Sequence, residues 1–259
     1  MEYDFQAIQE VLNSCRPVDQ RISKSIQEDL LLRFTQESNA IEGNSLTILE
    51  TKVLLEFGLI AKGKPLKDHI EIQNHQYAVD YLNLLLEKKE PLKEADLKNF
   101  NAILLKRTDE ESESGRYRSS RVIISGANHR PLDPLHVAEA MRDLVEQYNQ
   151  EIKDLRGIDI VKRIARLHAN FVAIHPFIDG NGRTGRLLMN LELQKHGFPL
   201  VILSKQDRSD YYDALALADQ HHYESIEEMI VKEVVKTSIF ILGIIDGKWM
   251  DRYRSSSLA

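Results

Sequence analysis

Twelve consecutive residues, His175-Pro-Phe-Ile-Asp-Gly-Asn-Gly-Arg-Thr-Gly-Arg186, hold a titratable base, a carboxylate, three glycines and two arginines. Gly180, Asn181 and Gly182 take left-handed or otherwise strained dihedrals cheaply. Successive backbone N–H groups can then converge as a nest at a helix N-terminus, where the macrodipole adds positive charge. Such an end attracts phosphate. Arg183 and Arg186 share a face in the first turn of the helix expected at 183–196, where cations are unfavourable unless an anion balances them. A breach of a local rule points to function. Asp179 offers a hard oxygen ligand of the kind that holds Mg²⁺ against phosphate oxygens. His175 is a candidate general base near neutral pH, the more so if the arginines disfavour its protonation.

Plainer readings compete. A single histidine after a helix is usually a structural residue, and an arginine pair usually meets surface carboxylates. The whole cluster in one short segment favours a site. Gly180-Asn-Gly-Arg-Thr-Gly185 also matches G-x-G-x-x-G, with a helix after it, then Leu200-Val-Ile-Leu203 and Asp207. A dinucleotide fold, however, needs a strand before the glycines. Here Ile160, Ile164, Leu167, Phe171 and Ile174 give a helical period over 159–174, halted by Pro176, and the chain lacks alternating strand and helix units.

The elements that must position this segment are almost all helical in period. Stripes of apolar residues predict helices over 24–43 (Ile26, Leu30, Phe34, Ile41), 48–57, 68–88, 93–105, 135–152 and 224–249. Thr47 and Glu50 read as a capping box opening the second of these, and Gly58 as its stop. The exception is 116–131, where a β-branched run followed by Gly, Asn and Pro suggests a short hairpin. An isolated hairpin is marginal alone and needs a role. The fold class expected is all-α with a small β-hairpin. The 259 residues carry 34 Lys+Arg against 40 Asp+Glu, a net charge of −6, so nothing overall asks for a nucleic-acid partner. One cysteine, Cys15, forms no internal disulfide, and the N-terminus is acidic where a signal peptide would be basic and then apolar. The longest alarming apolar stretch, 239–245, is far below the ~20 residues of a membrane span. A cytoplasmic protein with no membrane partner is expected.

His175 to Arg186 matches in full the H-P-F-x-D-G-N-G-R-x-x-R signature of Fic domain proteins, and the chain resembles that family over roughly 95–220, including 122–131 and Lys205-Gln-Asp-Arg-Ser-Asp-Tyr-Tyr212. The resemblance implies a Fic-fold helical core. It also implies transfer of AMP from ATP to a Ser, Thr or Tyr hydroxyl of a target protein, with release of pyrophosphate. It makes His175 the base and Asp179 the ligand of Mg²⁺ or Mn²⁺. Gly180, Asn181, Gly182, Arg183 and Gly185 would form the phosphate cradle, and Arg186 would fix the γ-phosphate. Tyr211 and Tyr212 would lie near adenine, and Asp219 stands where relatives have an Asn facing the nucleotide. The hairpin residues Ile123, Ile124, Ser125 and Gly126 would be a flap that docks the target by strand addition.

Ser38-Asn-Ala-Ile-Glu-Gly43 matches the family's inhibitory [S/T]-x-x-x-E-[G/N] motif, here ahead of the catalytic core. Independently, Glu42 sits at the negative end of its helix and wants a cation. The expectation is that Ser38 and Glu42 hold Arg186 away from the γ-phosphate. The chain then divides into an N-terminal helical region with the inhibitory helix (1–92), a Fic core (93–220) and a helical extension (221–259). Removal of AMP, transfer of another phosphate-containing group, and a silent ATP-binding regulator stay open beside AMP transfer, as does a homodimer.

Overall fold

The computed structural model describes residues 3–122 and 131–256, and every regular element among them is helical. In chain order these are α1 (Phe5–Ser14), α2 (Gln20–Ile41), α3 (Ile48–Phe57), α4 (Leu66–Lys88), α5 (Glu94–Leu104), α6 (Pro134–Glu151), α7 (Ile158–Ile174), α8 (Asn181–Lys195), α9 (Arg208–Ala218), α10 (Glu224–Ile245) and α11 (Trp249–Ser256). The expected hairpin residues 123–126 lie outside the described residues. The all-α expectation holds, but 116–122 and 131–133 on either side carry no strand, so the β-hairpin finds no support.

Local chemistry explains most boundaries. Asp4 and Asp19 cap α1 and α2 by accepting from backbone N–H groups two or three residues on. Thr47 and Glu50 form the reciprocal capping box of α3, and Gly58 ends that helix at φ 67°. The 224–249 helix proves to be two. Asp246 turns to φ −146°, ψ 99°, and the chain restarts at Trp249. There Trp249 joins Ile8, Val11, Leu12 and Leu242 in a small cluster that ties α1, α10 and α11 together.

At the centre lies α8, whose residues 183–193 are all buried. It packs against α4, α5 and α7, with α2 crossing near its N-terminal turn, and α10 covers the far side of α7. One continuous apolar core runs from Ile26 on α2 to Val234 on α10. At Gly185 helices α7 and α8 approach closely, because a Cβ there would lie 3.1 Å from His168 and Phe171 ring atoms. The run Leu200 to Leu203 is no strand. Asn190 of α8 takes the partner's part, accepting from the Val201 N–H at 2.7 Å and donating to its carbonyl at 3.0 Å. That removes the dinucleotide-fold reading, since helix α7 leads into the glycines and no strand follows them among the described residues.

Candidate active site

Helix α7 ends on His175, which takes the left-handed conformation (φ 52°, ψ 61°) while its N–H still bonds the Phe171 carbonyl at 3.1 Å. Pro176 cannot continue the helix, so the chain turns into the loop that leads to α8. Asn181 closes that loop on itself: its side chain accepts from the Phe177 N–H and donates to the Phe177 carbonyl, both at 2.9 Å. The Asn181 side chain is therefore committed to shaping the loop, which leaves its backbone N–H for the phosphate cradle expected of the turn. Asn101 of α5 adds a second brace, donating to the Asp179 carbonyl at 2.8 Å. Gly180, at φ 77°, is the N-cap of α8, a conformation for which glycine is the cheapest residue.

The two arginines enter the site from the first turn of α8. Arg183 is buried and points at two carboxylates, Asp179 at 3.3 Å and Glu71 of α4 at 3.6 Å. Arg186, only 1% exposed, is held from α2 and its C-cap, with Tyr211 as a further hydrogen-bond partner. Its Nε donates to the Ser38 hydroxyl at 3.0 Å, and its Nη2 to the Ser38 carbonyl and to Glu42 Oε1, both at 2.7 Å. Glu42 is the C-cap of α2 and reaches onto the opening turn of α8, so that a Cβ on Gly182 would fall 2.3 Å from its Oε1. A carboxylate therefore sits where the nest and the helix dipole draw an anion. Burial works against the charge on Glu42, yet Arg186, helped by Arg183 and Arg208, holds its pKa below the usual carboxylate value.

Burial is also what sets His175. Removal from water pulls its pKa down to about 4, with Arg118 acting in the same direction and Asp179 and Glu42 opposing it. The imidazole is neutral at pH 7 and able to accept a proton. Asp179 keeps 44% of its side chain at solvent. Among the described residues no group of three acidic, His or Cys side chains could cage a metal. One accessible carboxylate suits a Mg²⁺ ion that keeps waters and takes its remaining ligands from substrate phosphates.

The other expected residues scatter by role. Gly185 faces α7 and serves helix packing rather than the loop. Tyr211 is buried behind Arg186, its hydroxyl 2.7 Å from His168 Nε2, so its ring is not a free surface for adenine. Tyr212 is exposed, with the Arg208 guanidinium 5.1 Å over its ring. Asp219 is the C-cap of α9 and half-buried. The flap residues lie outside the described residues. Arg118, Asn101 and Glu71, which brace the loop and Arg183, were not singled out in the sequence. Glu71 reads from its period as part of the charged outer face of the 68–88 helix, yet it is buried against Arg183, and Asn101 stands as a polar residue beside the Leu97, Phe100, Leu104 stripe.

This arrangement has relatives. Residues 91–193 match the Fic/DOC family. Protein adenylyltransferase fic-1 of Caenorhabditis elegans is 36% identical over 188 residues, which is 72% of this chain and 36% of that protein. Protein adenylyltransferase Fic of Nematostella vectensis is 38% identical over 188 residues, 70% of this chain and 42% of its own length. The chain thus spans well under half the length of these curated relatives. Among solved structures, a Fic domain containing signaling protein from Bacteroides thetaiotaomicron superposes with TM-score 0.87 at 26% identity, covering 94% of this chain and 97% of that one. A fragment of Fic-1 from C. elegans gives 0.82 at 28% identity, covering 92% and 71%. With the motif, the fold and these sequence relatives in agreement, the chain belongs to the Fic/DOC family.

Proposed function

We propose that this protein is an adenylyltransferase that moves AMP from ATP to a hydroxyl side chain of a target protein, and that its own helix α2 restrains it. The observation that carries this reading is the meeting of a neutral His175 with an arginine-lined helix N-terminus whose second arginine is bound by Glu42 at 2.7 Å. In the reaction, the target hydroxyl oxygen attacks the α-phosphorus of ATP, its proton passes to His175, and the bond to the pyrophosphate oxygen breaks. Arg183, the backbone N–H groups at the start of α8 and, once released, Arg186 bind the phosphate oxygens and take up developing charge. Asp179 would hold a Mg²⁺ ion, which supplies charge neutralisation of the phosphates when bound. Residues 1–92 act as the regulatory part, 93–220 as the catalytic core and 221–259 as its extension, with the target docking along 123–126.

While Glu42 holds Arg186, ATP finds one arginine engaged and an anion already at the turn. Productive alignment of the γ-phosphate is then blocked. The test uses Glu42→Gly with and without His175→Ala, supplied with ATP labelled at the α-phosphate. Label should enter protein in the first, while the doubly substituted protein binds ATP equally well and takes up none. A general base is worth ~10²- to 10⁴-fold, so labelling that survives loss of His175 would refute the assignment.

A further inference from the structure

We propose that Arg118 is a positioning residue: it fixes the backbone of the His175 loop so that the imidazole faces the phosphate cradle. The inference rests on the adenylyl-transfer reading. Arg118 lies in an irregular segment, yet it is only 2% exposed. Among the described residues its hydrogen bonds go to backbone carbonyls. Its own N–H donates to Pro176 at 2.9 Å, its Nε to His175 at 2.7 Å, its Nη2 to Ile174 at 3.4 Å and to Leu132, and its Nη1 to Ser120 at 3.2 Å. One residue thus grips three consecutive carbonyls, 174 to 176, through the turn that carries the base, and ties in the chain at 120 and 132.

That grip has a physical task. His175 is left-handed, which costs a residue bearing a Cβ ~1–2 kcal/mol, and such a conformation persists only where the surroundings over-determine it. The carbonyls ending α7 also carry the negative end of its dipole, which together with the Asp133 carboxylate offsets part of what burial costs the guanidinium. Lysine could supply the charge but not the planar fork of donors. Arg118 touches no residue of the phosphate cradle among its hydrogen-bond partners, so nucleotide binding should not depend on it.

The test compares Arg118→Lys and Arg118→Met, each in the Glu42→Gly protein, by three readings. Self-labelling from α-labelled ATP should fall by about 10²-fold in both, the lower end of what a placed general base supplies. Equilibrium binding of ATP should stay within twofold of the parent. In histidine-labelled protein followed by NMR from pH 8 to 5, His175 should remain neutral in the parent and in Arg118→Lys, because the charge persists. In Arg118→Met its pKa should move up while the ring stays neutral at pH 7, because burial, the larger cause, remains. Labelling within threefold of the parent in both variants, or a loss that follows lost ATP binding, overturns the proposal. If Arg118→Met does not fold, Arg118→Lys alone decides, because a slow enzyme with normal ATP binding and a neutral His175 is the signature of lost aim. A parent that never labels refutes adenylyl transfer. The His175 ring signals are read without turnover and still decide: a ring environment unchanged in Arg118→Lys sinks the positioning role.

Discussion

Glu42→Gly separates a regulatory contact from a structural one, because stability and activity should move in opposite directions. Removing one partner of a buried ion pair costs ~3–5 kcal/mol, whereas surface pairs are worth ~0–1 kcal/mol. Glu42 lies between these cases, with 34% of its side chain exposed against 1% for Arg186. Arg186 also keeps both Ser38 contacts when Glu42 is lost. The backbone adds little, since residue 42 closes the helix at φ −82°, ψ 0°. A loss of about 1–3 kcal/mol follows, which for a chain of this size lowers the melting temperature by roughly 2–10 °C. The gain in activity has a different source. A transition-state arginine in phosphoryl transfer is worth ~10³- to 10⁵-fold, so freeing Arg186 and vacating the turn should raise self-labelling by at least about 10²-fold. Thermal melts and label incorporation are read on the same preparations, with Ser38→Ala as the companion. That variant removes an acceptor from Arg186 but leaves Glu42 in place, so it should lose stability and stay unlabelled. A Glu42→Gly protein that melts lower and labels no faster would show that the contact is structural and the restraint lies elsewhere.

Two further outcomes follow from the geometry. Gly182→Ala should destabilise the native protein, since its methyl meets Glu42 Oε1 at 2.3 Å, but be close to neutral in the Glu42→Gly background, where alanine's better helix propensity offsets the remaining crowding. A double-mutant cycle in urea should return a coupling of about 1 kcal/mol or more, and additive effects would contradict the placement of Glu42 on that turn. Stability should also fall with mild acid. Burial lowers the pKa of His168 to about 4 and holds that of His75 well below its ordinary 6.5. Between 6.5 and these values the unfolded chain binds protons that the folded one refuses. Each such histidine then removes about 1.4 kcal/mol per pH unit below 6.5. The urea midpoint should drop between pH 7.5 and 5, and His168→Gln should flatten the slope; a flat native profile would refute the burial argument.

Much of the fold was readable because helix signals are local. The 48–57 helix has the same bounds in the structure, since its capping box and glycine stop act within a turn of the residues they govern. Helices α1 and α9 passed unnoticed. In α9 the buried set Tyr211, Ala214, Leu215 and Ala218 is short and half alanine, a weak stripe beside charged neighbours. The break at 246–248 was hidden because the apolar period runs almost to it. Within the site, the glycine turn, the paired arginines and the histidine were legible as types at a spacing, but the division of labour among them was not. Asn181 and Gly185 belong to the same twelve residues, yet one shapes the loop and the other lets two helices touch.

By itself the sequence determined the helical content, marked the His175 to Arg186 segment as a candidate anion site with a candidate base, and showed the need of Glu42 for a cation, because each depends on groups within a few residues or on one helix end. The family resemblance named Arg186 as the cation for Glu42, but only the tertiary structure brings the two together across 144 positions of chain and buries Tyr211 behind Arg186. It alone decided that Arg118 grips the His175 turn and that burial strips the imidazole of its proton near neutral pH. Distances, dielectric and desolvation are properties of packed neighbours, and a residue's type and spacing carry no record of which distant side chains will exclude its water.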